Sequence, residues 1–204
     1  MLRSNLSQLW LNMFTHMPTI TTKRLVLRPA SMRDADDMYS WCSDPQVARY
    51  VLWDAHTSIR TTKNYLRYLI HQYRQGAPST FVMEHRENGH AIGTIGFIWM
   101  DEQCRSCEVG YSMSRDYWNR GLMTEALQAL IEFCFLKLKL NRVEAQHDVR
   151  NIASGRVMEK AGMRYEGSLR QRVFNKGQFI DVALYAILRS DYDTQHPRSK
   201  ESGT

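Results

Sequence analysis

One stretch of the sequence combines a strand, a tight turn and the start of an amphipathic helix. It runs from Cys107 to Leu127, and the turn is Arg120-Gly121. The first N–H groups of a helix have no carbonyl partner within it, and the helix macrodipole adds partial positive charge there. This end of a helix binds phosphate groups well, so the backbone from Arg120 to Glu125 is predicted to hold a pyrophosphate.

The elements around this turn predict an α/β (α+β) fold with a mixed sheet and helices on both faces. Alternation of apolar and polar residues and turn residues such as Asn88-Gly89 and Asn175-Lys-Gly177 mark the strands. Apolar stripes of helical period mark the helices. The predicted strands are 24–29, 80–84, 91–99, 108–113, 142–146, 167–174 and 178–188, and the predicted helices are 31–43, 58–76, 122–138 and 152–161.

The chain of 204 residues suits one domain, and its 43% of hydrophobic residues can bury a full core. No apolar run reaches the ~18 residues that a membrane span requires. The net charge of +6 favours anionic partners without selecting among a cofactor, RNA and an acidic surface. Four cysteines are too few for a disulfide scaffold of this length, so we expect a reducing cytoplasm.

The two ends of the chain differ from its middle. Apolar residues recur at helical spacing in residues 1–20, which we expect to form an N-terminal extension with a short amphipathic helix. Residues 21–191 are predicted to be a single domain, and residues 192–204 a flexible polar tail. Cys104 and Cys107 have the spacing of half a zinc site, but no second pair of ligands matches them, so no metal is expected.

Several motifs resemble the GNAT N-acetyltransferases, in particular the Rim-type branch that acetylates ribosomal-protein N-termini. The segment from Tyr117 to Ala126 resembles the acetyl-CoA pyrophosphate loop of that branch, with Trp118 and Met123 departing from the more general GNAT pattern. The segment from Asn151 to Arg170 resembles a second block, in which Met163 replaces a phenylalanine. The similarity covers residues 22–191 in the expected order.

The resemblance implies a fold and a cofactor. The fold would be a twisted, mostly antiparallel sheet of about six to seven strands, splayed between strands four and five. Acetyl-CoA would serve as cosubstrate, with its pantetheine arm along the main chain near Met113 and against Asn151. The residues expected to bind coenzyme A are Met113, Arg115, Arg120, Gly121, Leu122, Met123, Thr124, Glu125, Asn151, Ser154, Arg156 and Lys160.

Acetyl transfer to an amine needs a base for the amine and a hydrogen-bond donor for the departing thiolate. We expect Glu108 to be the base, because it lies on the central strand and resembles a glutamate with that role elsewhere in the superfamily. Ser154 matches the serine of the Rim-type branch and is expected to protonate the thiolate. Glu144, His147 and Asp148 remain alternative acid-base residues.

The acceptor follows partly from acidity. An α-amine with a pKa of about 8 is roughly one tenth neutral at pH 7, whereas a lysine with a pKa of about 10.4 is neutral for about 0.04% of the time. A weak base therefore suffices for a protein N-terminus, which is the acceptor that the resemblance implies, with association with the ribosome as a further expectation. Trp41, Tyr50, Trp53 and Phe174 are candidate liners of the acceptor pocket.

Two other functions stay open at this stage. One is acetylation of a small amine such as an amino sugar, an antibiotic or a polyamine. The other is a non-catalytic module that binds acyl-CoA or RNA through a basic face. We expect no membrane and no specific DNA partner, and the sequence leaves monomer and homodimer equally open.

Overall fold

The computed structural model describes residues 5–197, without the side chain of residue 5. Eight strands form a single sheet in the order β1-β2-β3-β4-β5-β6-β8-β7. The strands are β1 (Ile20–Thr21), β2 (Leu25–Pro29), β3 (Thr80–His85), β4 (Ala91–Asp101), β5 (Ser106–Met113), β6 (Arg142–Asp148), β7 (Arg164–Asn175) and β8 (Gln178–Leu188).

Helices occupy three of the connections between strands and both termini of the described chain. They are α1 (Asn5–Thr15), α2 (Ala35–Cys42), α3 (Pro45–Ala48), α4 (Ile59–Arg74), α5 (Leu122–Leu136), α6 (Ile152–Lys160) and α7 (Arg189–Gln195). Short 3-10 turns precede α2 and follow β5. Within the described residues, no helix has the length and apolar character needed to cross a bilayer.

The predicted mixed, mostly antiparallel sheet is confirmed. Seven of its strands were predicted, and the two-residue strand β1 is additional. The one parallel pairing joins β5 to β6 through only three residue pairs, from Ser106 opposite Arg142 to Glu108 opposite Glu144. Beyond Glu108 the two strands pair no further, so the sheet opens there into a β5/β6 split.

Two apolar cores cover the two faces of the sheet. Alternate residues of β5, including Val109 and Met113, belong to a core shared with α1, α5 and α6. Val82 of β3 belongs to the second core, which it shares with α2 and α4. Because side chains alternate between faces, Glu108 lies on the α2/α4 face, whereas Val109 and Tyr111 lie on the α5/α6 face.

The N-terminal segment forms helix α1, which belongs to the core shared by β5, α5 and α6. Phe14 is fully buried against Phe97, with ring centres 5.3 Å apart. The Trp10 indole N–H donates to the Leu138 carbonyl oxygen at 2.9 Å. These contacts anchor α1 beside the C-terminal end of α5.

The C-terminal region is more ordered than the sequence suggested. A flexible tail was predicted from residue 192, but α7 extends to Gln195 and Tyr192 is buried against Phe135. The remainder of that prediction, from residue 198, lies outside the described residues. The Tyr192 side chain, on the inner face of α7, packs on Phe135 and explains why the helix extends past residue 191.

Candidate active site

The turn before α5 has the geometry that the sequence predicted. Gly121 is the N-cap of α5 with φ of +72°, a left-handed conformation that side chains disfavour. The first backbone bond of the helix runs from Glu125 N–H to the Gly121 carbonyl oxygen at 3.1 Å. The N–H groups of Leu122, Met123 and Thr124 therefore precede the helical hydrogen bonds and are available to an anion.

The N–H group of Glu125 is not available to an anion. It is used within the helix, and the Glu125 carboxylate accepts from Thr22 Oγ1 at 2.6 Å and from Arg24 Nε at 2.7 Å. Burial raises the pKa of Glu125, but these hydrogen bonds outweigh it and hold the pKa below its ordinary value. Arg24 also donates to the Arg120 carbonyl oxygen at 2.8 Å, so this cluster fixes the turn to β2.

Trp118 ties the same turn to β5. Its indole N–H donates to the Met113 carbonyl oxygen at 2.9 Å. The departure from the general GNAT pattern at this position thus has a structural role, because it links the turn to the strand.

The β5 main chain presents free groups to the split. The Ser114 N–H donates to the Ile92 carbonyl oxygen at 2.8 Å, which makes Ser114 and Ile92 a hydrogen-bonded pair across β4 and β5. In an antiparallel ladder such pairs alternate, so the main-chain groups of Met113, opposite Gly93, and of Tyr111, opposite Ile95, point away from β4. They face the split, and the Met113 N–H is free to bind a ligand.

Ser154 meets Tyr111 across the split. The Tyr111 hydroxyl lies 3.0 Å from Ser154 Oγ and donates to the Ser154 carbonyl oxygen at 3.1 Å. Burial raises the pKa of Tyr111 well above its ordinary value, so the phenol stays protonated. The Asn151 side-chain oxygen caps α6 by accepting from Ser154 N–H, which leaves its NH2 group for a ligand.

The predicted cationic side chains lie in three different places. Arg120 is near the turn, with its guanidinium 5.4 Å from the Tyr117 ring centre. Arg115 is next to the turn, and its Nε pairs with Asp44 at 2.9 Å, which connects the site to the start of α3.

Arg156 and Lys160 lie away from the turn. Arg156 lines a cavity of about 410 Å³ with His147 and Tyr185, on the side of α6 opposite Ser154. The Lys160 carbonyl oxygen accepts from Gln128, which is about 9 Å along α5 from Leu122. Side chains two positions apart on a helix point in nearly opposite directions, which explains why Arg156 and Ser154 cannot share a ligand.

Glu108 is a buried carboxylate at the start of the split. It is 9% exposed and accepts from the Trp99 indole N–H at 2.7 Å. Burial raises the pKa of Glu108 and repulsion from Glu144 adds to the rise, while Trp99, Gln146 and Arg172 oppose it; the net shift is upward. A carboxylate with a raised pKa is a better base near neutral pH than an ordinary one.

The alternative acid-base residues are held by other partners. Glu144 accepts from Arg142 Nε at 2.7 Å, and Asp148 pairs with the Arg150 guanidinium. His147 shares a hydrogen bond through Nδ1 with the Asp148 carbonyl oxygen and lies on the α6 face, beside Gly155. Of the three carboxylates Glu108, Glu144 and Asp148, Glu108 alone has no ion pair within the described residues.

Comparison with known proteins agrees with this geometry. Residues 24–164 match the family model described as the acetyltransferase (GNAT) domain. The chain belongs to the GNAT acetyltransferase family. It is accordingly an N-acetyltransferase with acetyl-CoA as its acetyl donor.

Three similar proteins illustrate the match. The chain is 32% identical to an uncharacterized N-acetyltransferase, p20, from Bacillus licheniformis, over 86% of this chain and 99% of that protein. It is 25% identical to the [ribosomal protein uS5]-alanine N-acetyltransferase of Escherichia coli, over 85% and 92% of the two chains. The crystal structure of a GNAT acetyltransferase from Bacillus anthracis has a TM-score of 0.76 and 28% identity, covering 85% and 99%.

The GNAT donor fits the residues present at the split. The Gly121 turn, three free amides and the exposed main-chain edge of β5 are the groups that a pyrophosphate and an amide-containing arm would need. When bound, acetyl-CoA supplies a thioester carbonyl to the site. Among residues 5–197 no cluster of three or more His, Cys, Asp or Glu side chains could hold a metal ion, and Cys104 is exposed whereas Cys107 is buried.

Sequence analysis assigned no role to four residues that shape the site. Tyr111 and Trp99 contact the two predicted catalytic residues, while Arg24 and Trp118 brace the turn. Strand alternation places Tyr111 on the face opposite Glu108. Its contact with Ser154 depends on how β5 and α6 pack, which local pattern does not predict.

Proposed function

We propose that this GNAT enzyme acetylates the N-terminal α-amine of a protein, with direct attack of the amine on the thioester carbonyl. The observation that carries the proposal is Glu108, a buried carboxylate with a raised pKa at the start of the split. Such a base is adequate for an α-amine, of which roughly a tenth is neutral at pH 7. The E. coli relative named as an alanine N-acetyltransferase of a ribosomal protein supports the same acceptor class.

In the proposed reaction, Glu108 accepts one proton from the amine, directly or through water. The neutral nitrogen forms a bond to the carbonyl carbon, and the bond from that carbon to sulfur breaks. The Met113 N–H is the proposed hydrogen-bond donor to the carbonyl oxygen as negative charge develops there. After the bond from nitrogen to carbon forms, the cationic nitrogen loses a second proton through solvent while the departing sulfur takes one up, and Glu108 returns its own proton to solvent. A protonated amine and a thioester thus give an amide, a thiol and one released proton.

Ser154 and Tyr111 are proposed to stabilise the leaving sulfur. The Tyr111 hydroxyl has one hydrogen, which it donates in a hydrogen bond to the Ser154 carbonyl oxygen. In the second hydrogen bond the Ser154 hydroxyl is therefore the donor and the Tyr111 oxygen the acceptor. On thiolate departure, the Ser154 hydroxyl turns to sulfur and the Tyr111 hydroxyl turns to Ser154 Oγ. The raised pKa of Tyr111 keeps its proton in place throughout, so the phenol acts as a hydrogen-bond donor and not as an acid.

A panel of acceptors assayed for thiol release from acetyl-CoA tests the proposal. The panel would contain short peptides with free and with blocked N-termini, together with amino sugars and polyamines. We expect release only with free N-termini, and mass spectrometry should place the acetyl group on the α-nitrogen. Turnover of a sugar amine or a polyamine, with none for any peptide, would contradict the proposed acceptor while leaving the enzyme class intact.

A further inference from the structure

A group of cations surrounds the acceptor side of the β5/β6 split. We call Arg49, Arg150, Arg172 and Lys176 the cationic rim. Two of its members flank one aromatic side chain, since the guanidinium of Arg49 is 5.0 Å and that of Arg150 is 5.9 Å from the Tyr50 ring centre. The segment after α3 and the loop before α6 therefore meet at Tyr50.

The tip of the β7–β8 hairpin closes the rim on the other side. The Asn175 amide donates to the Val51 carbonyl oxygen at 3.2 Å, and the Lys176 ammonium donates to the Ala48 carbonyl oxygen. Asn175 is 7% exposed, so its contact with Val51 is protected from water. The hairpin and residues 48–51 consequently form one continuous wall.

A bulge in β7 contains Arg172. Leu169 pairs with Val182 and Val173 pairs with Ile180, so three β7 residues lie opposite Asp181 alone. Gln171 has φ of +50°, and its N–H donates to the Asp181 carboxylate at 2.7 Å. A bulge of this kind bends a strand and redirects its side chains.

Arg172 is available to a ligand. It is exposed, it forms no ion pair within the part of the chain that the structure describes, and it is close enough to Glu108 to lower the pKa of that carboxylate. Two carboxylates lie at the rim: Asp148 is already engaged by Arg150 through contacts of 2.5 to 3.1 Å, and Asp181 accepts from the Gln171 N–H. With four cations against two carboxylates, the rim thus carries excess positive charge, and its member Arg172 lies near Glu108, the proposed base.

We propose that the cationic rim binds carboxylate side chains just after the acceptor's N-terminal residue, so that the preferred acceptors are proteins with acidic N-termini. This inference rests on the proposed N-terminal activity and narrows it to a substrate class. With an α-amine at Glu108, residues two to four of an extended acceptor lie about 3 to 10 Å further out, within reach of long arginine side chains. A basic N-terminus would be repelled by the same charges.

Two peptides that differ only in Asp or Asn at positions two to four test the inference, with kcat/KM measured for each. An exposed ion pair contributes up to about 1 kcal/mol, so we expect wild type to prefer the acidic peptide by about fivefold for each charge that engages the rim. R172E should abolish or invert this preference. K139E makes the same charge change at an exposed residue in the turn between α5 and β6, and it should retain the preference.

The outcomes separate the two proposals. Equal kcat/KM for both peptides in wild type, or equal losses for both in R172E, would overturn the acidic class while leaving N-terminal acetylation in place. Absence of turnover with every peptide would overturn both. A short RNA that inhibits both peptides equally, with inhibition relieved in R172E but not in K139E, would identify the rim as a nucleic-acid surface and also overturn the inference.

Discussion

The half of the split that we propose for the acetyl donor is made of main chain, whereas the half that we propose for the amine is made of side chains. The donor half consists of the β5 edge from Tyr111 to Met113 and the amides of Leu122 to Thr124. The acceptor half combines Glu108 and Trp99 of the central strands with the cationic rim. Main-chain groups are alike in every residue, so the donor half depends on backbone conformation and the acceptor half on residue identity.

This difference explains why the donor half can stay the same while the acceptor half can change in sequence. The pyrophosphate and the pantetheine arm are the same in every acyl-CoA donor, so a fixed turn with free amides is sufficient to bind them. Acceptors differ in charge and size, and exposed side chains on a hairpin and a loop can change without disturbing the sheet. Variants of the two halves should therefore have separable effects on donor affinity and on turnover.

The largest effect is expected for Glu108→Gln in the acceptor half. Loss of the base should lower kcat/KM for an N-terminal peptide by about 100-fold, with donor affinity unchanged in calorimetry. Glu144→Gln is the matched control on β6, because Glu144 is paired to Arg142, and we expect at most a few-fold loss. A similar loss in both variants would contradict the role of Glu108.

The raised pKa of Glu108 adds a pH test to the same variant. In wild type, kcat/KM should fall as pH drops through the Glu108 pKa, above the ordinary carboxylate value of about 4.3, because the protonated acid cannot accept a proton. For stability, a raised folded-state pKa gives a contribution that is complete below the unfolded-state pKa and is lost as pH rises through the folded-state pKa. Glu108→Gln should therefore be more stable than wild type at pH 7 in chemical denaturation, with the difference disappearing at low pH.

Ser154→Ala and Tyr111→Phe probe the region between the two halves, and each should lower kcat by about tenfold while KM for acetyl-CoA changes little. The double variant should lose no more than Ser154→Ala alone, because Tyr111 acts through Ser154. A merely structural role for the phenol would instead give additive losses. An acyl donor with a more acidic thiol should reduce all three defects, since its thiolate needs less stabilisation.

Gly121→Ala and Gly177→Ala compare the two halves directly. Both glycines have positive φ, +72° and +80°, and an added Cβ would meet nothing closer than 3.6 Å at Gly121 and nothing within 4 Å at Gly177. Each variant should cost about 1 kcal/mol of folding free energy from backbone strain. Only Gly121→Ala should weaken acetyl-CoA binding, by about tenfold in calorimetry, and equal affinities would show that the turn does not bind the donor.

The donor half was largely predictable from the sequence because its parts are contiguous. Strand β5, the turn at Gly121 and helix α5 follow one another, and hydrogen bonding at a helix start is a local property. Arg156 and Lys160, which lie away from the turn, are exceptions. Another is Glu125, which was expected to offer its amide. The first helical bond uses that amide, and its side chain is committed to Thr22 and Arg24, about a hundred residues earlier in the chain.

The acceptor half was less predictable because it joins distant segments. Trp41 was a candidate liner, but it is 3% exposed and its indole N–H donates to the Ala91 carbonyl oxygen, so it belongs to the core under α2. Arg172 was not singled out, because its position depends on a bulge in the β7–β8 ladder. The meeting of Tyr50 with Arg150 depends in turn on how residues 48–51 pack against the hairpin, which no local pattern encodes.

Helix α1 offers a reference that belongs to neither half, and its variant should have the smallest effect on activity. In Trp10→Phe the buried Leu138 carbonyl oxygen loses its donor, which should cost about 2 kcal/mol of folding free energy. For a domain of this size, that loss lowers Tm by roughly 4 to 8 °C. Kinetic constants at 25 °C should stay at wild-type values, because Leu138 lies beyond the C-terminal end of α5, whereas the donor half uses the N-terminal end. A change in donor affinity would mean that α5 transmits strain along its length, and the two halves would then not be independent of the rest of the core.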